Sequence, residues 1–201
     1  RGSFAAPVVV NAAGAWAGRM ATLAGLEIPI TVWRHDTGYL GVPQEVARPI
    51  PTVIDSAHAM YFRPEGSEMI LVGLEDHSGM GGSPDRDTSE ADADFSDRAT
   101  ERIIRRVPGL IDGTFRTSHS GQDGLSPDQR PILGAAGPIG FYLDCGHSGT
   151  GFKTAPAVGL GMSELILDGA ATSVDIAPFA FQRFAEGRLL AGEHGGELIW
   201  S

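Results

Sequence analysis

The spacing of apolar positions changes several times along the chain, and each change marks an element. Val8-Val9-Val10 is apolar at every position, the pattern of a strand covered on both faces. Asn11-Ala12-Ala13-Gly14 turns it into a helical pattern that includes Trp16, Met20 and Leu23, with Gly25 as its stop. Strand, turn and helix in that order make the unit of a parallel α/β sheet. Ile28 to Leu40 mixes Ile, Val, Thr, Trp and Tyr and reads as a long strand. Pro43 to Pro51 is a proline-broken loop. Met60-Tyr61-Phe62-Arg63 and Met69-Ile70-Leu71-Val72 flank Pro64-Glu65-Gly66-Ser67-Glu68, which predicts a hairpin.

A polar, glycine-rich loop follows at Gly79 to Asp87, and helical spacing returns within Ser89 to Val107. Phe95, Ala99 and Ile103 lie four apart on one face, and Arg98, Arg102 and Arg106 form another stripe; Pro108-Gly109 is the stop. Phe115 to Leu125 contains a strand, Ser126-Pro127-Asp128 is a turn, and Pro131-Ile132-Leu133-Gly134 leads into a glycine turn at Gly137-Pro138. Phe141-Tyr142-Leu143 is the last strong strand. The last helix runs from Thr154 or Ala155 to Leu167, with Gly169 beyond it. Past Gly187 the pattern fades, and His194-Gly195-Gly196 reads as irregular. The expected fold is therefore α/β plus an antiparallel sheet in two domains. Residues 1–28 and 127–186 build one, residues 29–126 the other, and 187–201 form a tail.

Composition narrows the function classes. With 201 residues, 42% of them hydrophobic, the chain can bury a sizeable core. The formal charge is −10, and nothing basic is concentrated enough to suggest nucleic acid. The densest basic cluster, Arg102, Arg105 and Arg106, reads as a solvated helix face. Cys145, the single cysteine, is expected to be a small buried hydrophobe and suits a reducing, cytoplasmic setting. No stretch approaches the ~20 apolar residues of a membrane span. The first residues carry neither a secretory pattern nor an initiator methionine, so the chain reads as cut from something larger. The six histidines show no metal-ligand spacing, and no metal is expected.

The richest stretch chemically is Gly146-His147-Ser148-Gly149-Thr150-Gly151-Phe152-Lys153, between the last strand and the last helix. Glycines there let backbone N–H groups approach a ligand, and a helix start favours anions. Lys153 adds a positive charge where the helix dipole disfavours one, which marks it as a candidate for binding rather than for solvation.

In this order the segments resemble the C-terminal half of the D-amino-acid oxidase-like FAD-dependent oxidoreductases, which include sarcosine oxidase, glycine oxidase and dimethylglycine dehydrogenase. Val8 to Trp16 is similar to that family's late cofactor-domain strand and turn. Tyr61-Phe62-Arg63-Pro64-Glu65 with Ile70-Leu71-Val72-Gly73 resembles its substrate-domain hairpin, and Ser126 to Gly134 resembles the return to the cofactor domain. Gly146 to Gly159 resembles the flavin-facing loop and helix, and Asp175 to Phe179 with Arg183-Phe184 the family ending. The resemblance implies non-covalent FAD contacted by Ala13, Gly14, Trp16, Gly146, His147, Ser148, Gly149, Thr150, Gly151 and Phe152. It implies substrate contacts from Arg34, Tyr61, Arg63 and Lys153, with Lys153 and Glu75 at the catalytic centre. Glu75 stands near the place of a histidine in sarcosine oxidase.

The implied reaction is oxidation of the C–N bond of a small amine or amino acid. The family's opening strand, G-x-G-x-x-G turn and helix are not in these 201 residues, so the cofactor domain is expected to be partial. FAD is then held only together with an N-terminal half or a separate subunit, and the incomplete domain is expected to self-associate. Two alternatives stay open: a non-catalytic fragment or subunit, and an unrelated α/β enzyme with one continuous doubly wound sheet that uses only the glycine loop.

Overall fold

The computed structural model describes residues 2–76 and 78–190. His194-Gly195-Gly196 and the rest of the tail lie outside the described residues, as does His77. The chain divides into two compact units. Among the described residues, one is formed by 2–32 and 123–190, the other by Trp33–Gln122.

The first unit holds a three-stranded sheet in the order β1-β8-β7, made of β1 (Val9–Asn11), β8 (Phe141–Cys145) and β7 (Ile132–Ala135). β1 runs parallel to β8 and β7 antiparallel to it. Alternation along β8 sends Phe141, Leu143 and Cys145 into a cluster with Ala17, Ala21 and Ile132. Tyr142 packs on the opposite side, against Leu133, Val158 and Met162. α1 (Ala17–Leu23) supplies Ala17 and Ala21, and α3 (Gly151–Asp168) supplies Val158 and Met162.

α3 begins at Gly151, a turn earlier than its sequence predicts. Pro156 lies inside the helix and forgoes the bond to the carbonyl four residues back. β7 was not foreseen either, because Pro131 and Gly134 bracket so short an apolar run.

The second unit holds a five-stranded sheet in the order β3-β4-β5-β2-β6. Its strands are β2 (Thr31–Gly41), β3 (Val53–Asp55), β4 (Met60–Glu65), β5 (Met69–Leu74) and β6 (Thr114–Leu125). β3–β4, β4–β5 and β5–β2 are antiparallel. α2 (Phe95–Arg106) buries Phe95, Ala99 and Ile103 against Leu40, Met60, Phe62, Ile70, Val72 and Leu74 on one face of this sheet. Two separate sheets overturn the alternative of one continuous doubly wound sheet.

The arginines of α2 do more than solvate it. Arg98 and Arg102 both hold Asp76, at 2.6 and 2.7 Å, and Arg102 also donates to the carbonyls of His58 and Ala59. Arg106 reaches Asp55 at 3.3 Å, and Arg105 pairs with Glu101. The stripe therefore ties the helix to the ends of β3 and β5. No helix among the described residues is long and apolar enough to cross a membrane.

Candidate functional site

β1 and β8 are parallel neighbours with Asn11 opposite Leu143, so their C-terminal ends open onto one edge of the sheet. Ligands of open α/β sheets bind at such ends. The two turns that follow carry most of the residues expected to touch a cofactor. In the first, buried Asn11 donates to Ala17 O at 2.9 Å and accepts from Ala13 N at 3.3 Å, fixing the turn at both ends. Gly14 has φ +54, and Trp16 is 42% exposed.

In the second turn Gly146, Ser148 and Gly149 all have positive φ. Ser148 is held from three sides. Its N–H donates to Gly124 O at 3.3 Å, its hydroxyl donates to Gly146 O at 3.1 Å, and the hydroxyl accepts from Ser126 N at 3.2 Å. Thr150 donates from N and Oγ1 to His147 O, at 3.0 and 2.7 Å. His147 Nε2 lies 2.8 Å from Asp144 Oδ1, while its Nδ1 is buried with no hydrogen-bond partner among the described residues. Gly151 lies against that ring, since a Cβ there would come within 3.0 Å of His147 Cβ.

Gly124 joins the two turns and was missed from the sequence. Its carbonyl receives the Ser148 N–H, and a Cβ on it would stand 2.8 Å from Gly14 O. The available signal was a glycine inside a strand pattern, which marks close backbone approach. Beyond the turns, Phe152 is 99% exposed and Lys153 is exposed in the first turn of α3. Cys145 is buried as expected; burial, helped by the Asp144 charge, pushes its thiol up to about 12.

The second unit gathers some of the expected substrate residues and removes others. Period two along β2 puts Trp33, His35, Thr37 and Tyr39 on the sheet face away from α2. Tyr61 shares that face opposite Gly73, and its ring lies over Gly73, where a Cβ would be 2.3 Å from Tyr61 Cζ. His35 stacks on Trp33 with centroids 4.6 Å apart and is tilted to Tyr61 at 5.6 Å. Glu75 Oε1 lies 3.7 Å from His35 Nε2. Tyr61 and Glu75 are thus brought together, with two aromatic partners that sequence reading left in the background.

Arg34 takes a different place from the one expected. It projects to the α2 side, is buried, and binds Asp36 at 2.7 Å and Asp92 at 2.8 Å. It also donates to the carbonyls of Asp87 and Glu90. Asp36 in turn accepts from Ser120 Oγ and Asp92 N. Arg34 is a tie for the loop before α2, because one residue of register decides which face a strand side chain takes. Arg63 shares the Tyr61 face but pairs with Glu65 at 2.6 Å at an exposed edge, as a hairpin ion pair does.

A family described as DAO, FAD dependent oxidoreductase, matches residues 1–165. The chain belongs to this family. It is 33% identical to FAD-dependent oxidoreductase domain-containing protein 1 of Bos taurus, over 93% of this chain and 41% of that protein. It is 30% identical to glycine oxidase of Pseudomonas putida, over 94% of this chain and 48% of that one. Among solved structures it resembles L-proline dehydrogenase from P. horikoshii, with TM-score 0.77, 27% identity, 91% of this chain and 48% of that one covered. The chain thus spans about two-fifths to one half of these relatives.

Proposed function

We propose that the whole protein oxidises the C–N bond of a small amine or amino acid with FAD as its cofactor. The observation that carries this reading is the pair of turns meeting at Gly124, at the C-terminal ends of two parallel strands. The residues fit part of an FAD site. Gly14 leaves backbone open to approach by a flat ring or its polar edge, and His147 Nδ1 is a buried polar atom without a partner among the described residues. They do not supply a pyrophosphate-binding glycine turn. β1 also stands at the edge of its sheet with Val8, Val9 and Val10 all exposed, although the run is apolar throughout, so the reading includes further cofactor-domain structure covering it. Without such cover this strand invites self-association.

When bound, FAD supplies the two-electron acceptor for the substrate's α C–H and C–N unit. The chain's own residues orient the substrate and set the charge around it. Ala13, Gly14, Trp16 and the Gly146–Phe152 segment would hold the cofactor, and Lys153 would pair with a substrate carboxylate; Tyr61 and Glu75 are the second unit's own candidates for substrate contact. The substrate leaves as an imine, and water then adds to the C=N carbon to give a carbonyl compound and free amine.

Replacing Lys153 by Met in the full-length enzyme tests the assignment. The change roughly keeps the length and removes the charge with its three donors. Lys153 is exposed among the described residues; where bound substrate buries the contact, truncating it costs about 2–5 kcal/mol, or roughly one and a half to three and a half decades in kcat/KM. That loss is expected on amino acids and not on amines without a carboxylate. Equal losses on both classes assign Lys153 to the cofactor instead, and unchanged kinetics remove it from the site.

A further inference from the structure

We propose that Arg183 is a positioning residue for the cofactor-facing turn at 146–150, acting through Asp128 and Ser126. The inference rests on reading that turn as an FAD contact. Arg183 ends a 3-10 turn, Phe181–Arg183, and its side chain is fully buried. An arginine is seldom fully buried unless every donor is used, and here the donors are used to join two segments. Nε and Nη2 bind the two carboxylate oxygens of Asp128 at 2.7 and 2.8 Å. Nη1 donates to Phe179 O at 2.7 Å and Nη2 to Arg130 O at 3.0 Å. The guanidinium carbon lies 4.1 Å from the Phe184 ring centroid.

Asp128 passes this grip forward. It also accepts from Arg130 N at 3.3 Å and Leu190 N at 3.2 Å. Ser126 Oγ donates to Arg130 O at 2.6 Å and lies 3.2 Å from Asp128 Oδ1. The N–H of the same Ser126 is the donor that holds Ser148 Oγ. An unbroken series of contacts therefore runs from the C-terminal segment to the turn.

Backbone strain sits at both ends of Ser126's reach. Ser148 has φ +51 and Gln129 φ +55, two of the three non-glycine residues in the left-handed region among the described residues. A side chain in that region is disfavoured and persists only where its surroundings over-determine it. Gly124 and Ser126 do this for Ser148, and Arg183 with Asp128 does it for the turn that carries Ser126. The fully buried ion pair thus fixes the shape of a turn that lies outside the hydrophobic clusters.

A double-mutant cycle in the full-length, FAD-loaded protein tests this. Arg183→Lys keeps the charge and removes the fork, and Ser148→Ala removes only the far end of the series. Each is expected to weaken FAD about tenfold, and together about tenfold rather than a hundredfold, because coupled sites are not additive. Hydrogen exchange supplies a readout independent of FAD. In Arg183→Lys the amides of 146–150 should exchange faster while those of α2 stay unchanged. If that variant does not fold, Asp128→Asn takes its place. Additive losses, or amides of 146–150 that keep wild-type exchange while 177–188 loosens, overturn the proposal. Faster exchange at 146–150 in Arg183→Lys, together with a wild-type protein that binds no FAD, supports the positioning and overturns the cofactor reading.

Discussion

Gly124→Ala probes the contact on which the proposed site depends. An added Cβ would stand 2.8 Å from Gly14 O, 3.2 Å from Gly14 C and 3.3 Å from Ile30 Cγ2. Two of those atoms are backbone, so the strand or the Ala13–Trp16 turn must shift by about half an ångström to restore ordinary contact. Overpacking of this kind costs about 1–3 kcal/mol, while losing a glycine from the unfolded chain returns about 0.4–1 kcal/mol. The net loss is then about 1–2 kcal/mol, a fall of a few °C in melting temperature. The shift also separates the two turns, so FAD affinity should fall further than stability alone explains. Gly121→Ala is the matched control in the same strand, because nothing lies within 4 Å of its added Cβ. Thermal melts and FAD titrations of both full-length variants give the comparison. If Gly124→Ala binds FAD and melts like Gly121→Ala, the joined turns are not the cofactor edge of this unit.

Two further outcomes follow from the geometry. Gly73→Ala must displace the Tyr61 ring, which occupies the place of the new Cβ; KM for amine substrates should rise while FAD affinity stays the same, as steady-state kinetics beside FAD titration will show. Burial alone would raise the Asp128 carboxyl, but the hydrogen bonds from Arg183 and the Leu190 N–H, with the Arg183 charge, hold it below the usual carboxylate range. Its contribution to stability is therefore present above about pH 3.9 and is lost as pH falls through the lowered folded value; acid titration followed by circular dichroism should show an acid-side loss that Asp128→Asn flattens.

The sequence carried the parts of this fold that depend on periodicity. The 3.6 spacing of Phe95, Ala99 and Ile103 put α2 on its sheet, and the turn Pro64 to Glu68 placed the β4–β5 hairpin. The short strands β3 and β7 were not legible, since three or four residues beside prolines and glycines do not show a period. The site was legible only where local chemistry marks it, as at Gly146–Lys153. Arg34 was misplaced because its neighbours on β2 alternate between faces, and nothing in the chain near residue 34 says that Asp92 arrives from 58 residues away. Gly124 and the Asp128–Arg183 pair escaped for the same reason: their meaning lies in contacts with residues distant in the chain, 55 positions apart for Asp128 and Arg183.

The most direct measurement is anaerobic mixing of the full-length, FAD-loaded protein with a series of secondary amines and amino acids, followed at the visible flavin absorbance. Bleaching by at least one member of the series is expected, with one imine-derived carbonyl product formed per flavin reduced. Firmly bound FAD that no amine or amino acid bleaches would contradict the proposed function.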